Sequence, residues 1–184
     1  MRCEATSLVG RADAAYGDQS THGKCRLGYV VGLTSSTLRG PCHIIQWTSK
    51  FTRKMAKSSL GGEVYAFSEM LDHMALLKEF YAPFVDASPD LLGFVDCESL
   101  FSHLKKKKTI AEKFLARHFL AIQQAVESGE LANVYWLPGL ENPADSLAKI
   151  KSDMVPLLRM TESGCYNPGL LRPLRGLPSN ETPF

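Results

Sequence analysis

Leu91-Leu92-Gly93-Phe94-Val95-Asp96 (LLGFVD) is the stretch on which the fold turns. It is a mostly apolar run that closes on a carboxylate, the pattern of a short strand covered on both faces. Upstream, Tyr65, Met70, Met74, Leu77 and Phe80 recur near helical spacing within residues 59–80. Ser58 or Ser59 can cap that helix and Pro83 stops it. Downstream, a short helix fits residues 97–104. Thr109-Ile110-Ala111-Glu112 then matches a capping box, in which Thr caps the third amide and Glu reaches back. It opens a helix whose apolar stripe is Ile110, Phe114, Leu115, Phe119, Ile122 and Val126, with Gly129 as its stop. Residues 132–137 (ANVYWL) read as another strand. Two strands joined through helices form a parallel pair.

Ahead of this unit the period is that of strands. Residues 6–13 (TSLVGRAD), 26–33 (RLGYVVGL) and 43–48 (HIIQWT) are separated by turn-rich stretches and read as an antiparallel meander. At the other end, Asn142-Pro143 opens a last helix running to about Leu158, with Asn as N-cap and Pro in the first helical position. The order βββαβααβα predicts an α/β domain over residues 1–158: a five-stranded mixed sheet flanked by helices. Residues 159–184 contain prolines and no clear period, and are expected to form a poorly ordered tail.

Composition is that of an ordinary globular domain. The 184 residues are 45% hydrophobic and 22% charged, with a net charge of +2. Global charge therefore does not single out a nucleic-acid ligand. Cysteines stand at 3, 25, 42, 97 and 165 with no CxxC pair, which argues against a disulfide framework or a structural zinc site. Reduced thiols and an intracellular setting, cytoplasmic or nuclear, are the expectation. No signal-peptide core and no membrane-length apolar stretch is read.

Carboxylates fall where these elements meet. Asp13 and Asp96 close strands, whereas Glu63 and Asp145 are read in the first turns of helices. A carboxylate in a first turn is also explained by the helix dipole alone. Asp96 is harder to dismiss, because a strand-end charge above a core has few other partners. Gathered on one sheet edge, such groups repel unless hard cations, which take oxygen ligands, sit among them. Two such ions about 4 Å apart can activate water and stabilise a leaving phosphodiester oxygen.

Six blocks carry a resemblance. Ala12-Asp13-Ala14-Ala15-Tyr16-Gly17-Asp18, followed by Gly28-Tyr29-Val30, resembles the DADWAG…GYV start of copia-type retrotransposon ribonuclease H domains. Trp47-Thr48-Ser49-Lys50 resembles their WSSK, and Ser58-Ser59-Leu60-Gly61-Gly62-Glu63-Val64-Tyr65-Ala66 their SSTEAEYxA. Val95-Asp96-Cys97-Glu98-Ser99 is similar to CDNQSA, and Arg117-His118-Phe119 with Val126–Leu131 to the RYHFIRE and VESGEV run. Leu137-Pro138 and Asn142-Pro143-Ala144-Asp145-Ser146-Leu147-Ala148-Lys149 resemble VPT…QLADILTK. The blocks span roughly residues 8–150, in the family's order.

The resemblance implies a ribonuclease H-like fold and hydrolysis of the RNA strand of RNA–DNA hybrids by a two-metal-ion mechanism. It places the catalytic, metal-binding carboxylates on Asp13, Glu63, Asp96 and Asp145, with Mg²⁺ as cofactor and Mn²⁺ as substitute. Asp13 would touch both ions, Glu63 and Asp96 one, and Asp145 the other. It implies a reverse transcriptase domain in the same Pol polyprotein as partner, virus-like particles as one location, and neither a membrane nor a small-molecule cofactor.

Lys105, Lys106, Lys107 and Lys108 repel one another and are expected to be solvated; beside a nuclease site they become phosphate contacts, joined by Lys54 and Lys57. A hybrid is recognised by shape, phosphates and 2′-hydroxyls, so lysines suffice. Trp47, Trp136 and His118 are read as core residues. The alternative function is a catalytically inactive or domesticated nucleic-acid-binding module on the same fold.

Overall fold

A computed structural model describes residues 6–16, 24–35, 38, 40–84, 87–107 and 113–175. The order is β1 (Thr6–Ala15), β2 (Lys24–Ser35), β3 (Gly40–Met55), α1 (Ser59–Tyr81), β4 (Asp90–Val95), α2 (Glu98–Lys105), α3 (Lys113–Ser128), β5 (Leu131–Trp136), α4 (Asp145–Ala148), α5 (Val155–Ser163), β6 (Cys165–Tyr166) and β7 (Arg172–Pro173). Strands β1, β2 and β3 form the expected antiparallel meander, and β4 joins β1 and β5 in parallel. The sheet order is β6-β3-β2-β1-β4-β5-β7.

Strand alternation sorts the core into two clusters. Leu8, Ala12, Leu27, Tyr29, Val31, Leu91 and Val95 pack against α1, α2 and α3. Their sequence neighbours Val9, Val30, Leu92 and Phe94 pack on the opposite side with Met160 of α5 and Tyr166 of β6. Because β1, β2 and β4 are covered on both faces, each reads as a nearly continuous apolar run. Phe67 of α1 is fully buried. A Cβ on Gly93 would come within 2.5 Å of its ring, so β4 needs glycine there. Burial of one such ring contributes up to about 3 kcal/mol.

Three expectations are corrected. Among the described residues the sheet has seven strands, because two-residue strands β6 and β7 extend its edges. The segment expected to be a loose tail supplies them: Tyr166 is 7% exposed and stacks its ring over the Arg11 guanidinium at 3.7 Å. The single helix expected from Asn142 to about Leu158 is two. The chain leaves helical geometry after Ala148 and re-enters at Val155, where Pro156 is tolerated because first-turn amides have no helical acceptor. Asp153 accepts a hydrogen bond from the Val155 amide at 2.9 Å at that restart. Lys108, the capping box Thr109–Glu112 and residues 176–184 lie outside the described residues.

Candidate metal centre

Strands β1 and β4 run side by side in parallel, with Arg11 opposite Phe94, so both chains reach the same sheet edge. Asp13 lies near the end of β1 and Asp96 directly follows β4. Helix α1 begins on that edge, since β3 delivers the chain there antiparallel to β2. The Ser58 side chain caps α1 by accepting from the Gly61 amide at 3.1 Å. This makes Ser59 the first helical residue and puts Glu63 beyond the first turn, one turn deeper than expected. The dipole, which fades within a turn, then does not account for Glu63. A Cβ on Gly62 would lie 3.1 Å from both Ala14 Cβ and Cys25 Sγ, so the bare residue lets α1 press onto β1 and β2.

Asp13, Glu63 and Asp96 converge. Each offers a carboxylate oxygen, and these oxygens lie within 4.8 Å of one another. Asp13 is 1% exposed and Glu63 9%. Burial, and after it the charge of Asp96, pushes the Asp13 carboxyl up to about 6 from an ordinary 3.8; the Lys149 ammonium opposes them. Burial, with Asp13 and Asp96 beside it, raises Glu63 well above its ordinary value. Burial also raises Asp96, while a hydrogen bond from Asn142 and the Lys149 charge pull it down in part. The group holds more negative charge than its protein partners neutralise.

Asp145 is on the same edge but outside this tight group. It opens the four-residue α4 and forms an ion pair with Lys149, one turn on. The Lys149 ammonium also lies 3.2 Å from Asp13, so it bridges the two aspartates. The charge of Asp145 acts on both Asp13 and Asp96.

Two positioning residues are given no part in the site by the sequence reading. Asn142, expected as a helix cap, is fully buried and donates from Nδ2 to the Ala12 carbonyl at 3.1 Å, while its Oδ1 accepts from the Ala144 amide. It therefore ties the α4 segment to the strand carrying Asp13. Gly28, opposite Asp13 in β2, supports the same segment. A Cβ there would stand 2.6 Å from the Ala144 carbonyl oxygen and the Ala148 nitrogen. Lys149 was legible only as a fragment of a motif, although its four-residue spacing from Asp145 is that of a helical ion pair.

The remaining predicted residues lie apart from the carboxylates, some on their edge and some a helix length from it. Lys57 is exposed in the turn between β3 and α1, on the edge of the carboxylates. Lys54 is the penultimate residue of β3. Lys105 ends α2, with Lys106 and Lys107 in the following turn, all exposed. An eight-residue helix separates them from Asp96, about 12 Å of rise. Lys107 pairs with Glu127 at 2.8 Å. Trp47 is 66% exposed rather than core. Trp136 is half-buried, and its indole donates to the Asp96 carbonyl at 3.0 Å, which steadies the backbone at that carboxylate. His118 is half-buried and hydrogen-bonded to Ser68 at 3.1 Å. Burial pushes the Cys97 thiol up to about 11, which leaves it a poor nucleophile.

No protein-family model and no curated protein matches the chain. Solved structures do. LC11-RNase H1, isolated from compost by a metagenomic approach, aligns over 79% of this chain and 93% of its own at 14% identity, with a TM-score of 0.52. The fold is ribonuclease H-like. The N-terminal RNase H domain of Rv2228c from Mycobacterium tuberculosis covers 86% of this chain and 99% of its own at 15% identity and TM-score 0.52. LC11-RNase H1 in complex with an RNA/DNA hybrid aligns over 77% of this chain and 93% of its own at 16% identity, TM-score 0.52.

The residues fit a divalent cation. The donor set of Asp13, Glu63 and Asp96 is all oxygen, as hard cations require. Asp13 Oδ2 is buried and accepts no hydrogen bond among the described residues; its one cationic neighbour there is the Lys149 ammonium, 3.2 Å away. No helix among the described residues is long and apolar enough to cross a membrane.

Proposed function

We propose that this domain is a metal-dependent endonuclease that hydrolyses the RNA strand of RNA–DNA hybrids, and that it derives from a copia-type retrotransposon polyprotein. The observation that carries the reading is the convergence of Asp13, Glu63 and Asp96 within 4.8 Å at the end of the central parallel strands. Two buried carboxylates and a half-buried third, all with raised pKa values, are costly to fold around unless a cation offsets them. The copia-type origin rests on the six ordered sequence blocks.

Asp13, Glu63 and Asp96 would hold one Mg²⁺, and Asp145 with Asp13 a second; Mn²⁺ would serve in its place. Such ions, when bound, supply an activated water and compensate charge on the leaving oxygen of a phosphodiester. The chain itself supplies the rest. Asn142 and the Trp136 indole hold the backbones of β1 and β4 at the carboxylates. Lys57, exposed on the carboxylates' edge, would meet a phosphate beside the cluster, and the exposed Lys105 and Lys106, a helix length from Asp96, would meet phosphates farther along. Contacts of that kind position a hybrid by its backbone and shape without reading sequence. A reverse transcriptase domain in the same polyprotein would present the hybrid, in the cytoplasm or nucleus.

The test is a labelled-strand cleavage assay with Mg²⁺ or Mn²⁺. RNA paired to DNA should be cut, and single-stranded RNA and duplex DNA should not. Hybrid binding with no cleavage under either metal would instead identify a nucleic-acid-binding module and overturn the enzyme reading.

A further inference from the structure

The position of Lys149 bears on how such a centre fills, an inference that rests on the metal-dependent reading above. Its ammonium ion-pairs with Asp145 and lies 3.2 Å from Asp13, the two carboxylates that would share the second ion. We propose that Lys149 is a built-in cation at the second metal position, so that the centre fills in order. One divalent ion goes to Asp13, Glu63 and Asp96; a second enters only by displacing the Lys149 side chain.

The chain around Lys149 suits a side chain that holds a position and can leave it. Its own side chain is 44% exposed, so an outward swing meets solvent rather than core. It sits just past the four-residue α4, where the backbone has already left helical geometry. The following residues, Ile150 and Lys151, are exposed. Asp145, by contrast, is held: α4 is seated on Gly28 and tethered through Asn142, so the carboxylate stays when the lysine moves. An ammonium carries one charge where a magnesium ion carries two, so Lys149 relieves the repulsion between Asp13 and Asp145 without matching a divalent ion. The competition between them makes occupancy of the second position depend on metal concentration. Glu63 and Asp96 have no ion pair with Lys149 among the described residues, so the lysine meets the first position through Asp13 alone, and two of its three carboxylates are left to the first ion.

The experiment is calorimetric titration of the whole chain with Mn²⁺, alongside its thermal midpoint. Wild type should show one tighter and one weaker site. Lys149→Gln, with Lys149→Met as a second neutral variant, should keep the first site and tighten the second by about tenfold or more. Lys149→Arg should keep the wild-type pattern. Adding Asp145→Asn to Lys149→Gln should erase the gain. The metal-free Lys149→Gln protein should melt lower than wild type, and Mn²⁺ should raise its midpoint further. A first site intact in every variant with no change in the second overturns the role given to Lys149. Absence of the first site in wild type and variants alike overturns the metal-centre reading itself.

Discussion

The sheet edge that carries Asp13, Glu63 and Asp96 and the short segment that carries Asp145 are built in different ways. The first three carboxylates ride on a ten-residue strand, a 23-residue helix and the end of a fully covered central strand. Each is held by packing that the core needs in any case. Asp145 rides on a helix of four residues, held to the sheet by one buried asparagine, one glycine contact and a Ser49 hydroxyl bonded to the Leu147 carbonyl at 2.7 Å. A site can therefore have a rigid part fixed by the fold and a second part whose backbone is held by a few local contacts. In this molecule the one adjustable element of that second part is the Lys149 side chain, which shares the carboxylates.

Perturbing the two regions separately sharpens that contrast. Asp96→Asn, in the rigid part, should lower hybrid cleavage by on the order of 10³, about 4 kcal/mol of barrier. Circular dichroism should be unchanged, and the metal-free midpoint should rise because a repelling charge is gone. A folded variant that cuts at the wild-type rate would break the account of that region.

The pH dependence of metal-free stability comes next. Asp13 has its pKa pushed up to about 6 from 3.8, so the folded state binds a proton more readily than the unfolded chain. The resulting stabilisation is complete below about pH 3.8 and lost as pH rises through about 6. Glu63 and Asp96 shift in the same direction. For Asp13 alone the loss is on the order of 3 kcal/mol. Urea denaturation in chelator should give lower stability at pH 8 than at pH 5, and Mg²⁺ should recover much of the difference at pH 8. Stability that climbs over this range in chelator would contradict the buried-carboxylate picture.

In the second part the effects are smaller. Gly28→Ala forces a Cβ against the α4 backbone and should cost about 2 kcal/mol in denaturant unfolding. Its first Mn²⁺ site should survive, since none of the three convergent carboxylates touches that contact. Loss of the first site would show that the two regions are not separable. Asn142→Ala leaves the Ala12 carbonyl and Ala144 amide short of a partner. It should slow cleavage by about tenfold, as loss of a supporting hydrogen bond does in metal sites. An unchanged rate would remove Asn142 from the positioning role.

The same division marks what could be read from the chain. Elements with a long period were legible: the meander, the α1 stripe from Tyr65 to Leu77, beyond which Phe80 is 64% exposed, and the LLGFVD strand with its terminal aspartate. Their hydrophobic pattern is repeated often enough to fix both type and face. Strands β6 and β7 have two residues each and no period to detect; they exist because the sheet offers open edges beside β3 and β5. The break between α4 and α5 has a signal that one continuous helix overlooks: Pro156, which suits the first turn of a new helix starting at Val155 rather than a helix interior. Trp47 was assigned to the core from its chemistry, but its position on the outermost long strand leaves it exposed. Strand ends and helix starts gather all four carboxylates on one edge; in the structure three form the tight group and Asp145 stands beside it, paired with Lys149. The reach of Lys149 across to Asp13 depends on how α4 docks, which spacing alone does not give.

The most direct measurement is anomalous diffraction from crystals of the chain soaked in Mn²⁺. The account predicts a peak about 2.0–2.3 Å from carboxylate oxygens of Asp13, Glu63 and Asp96, an ordinary metal–oxygen distance. A fully soaked crystal with no peak among these three side chains, or with manganese bound only elsewhere, would contradict it.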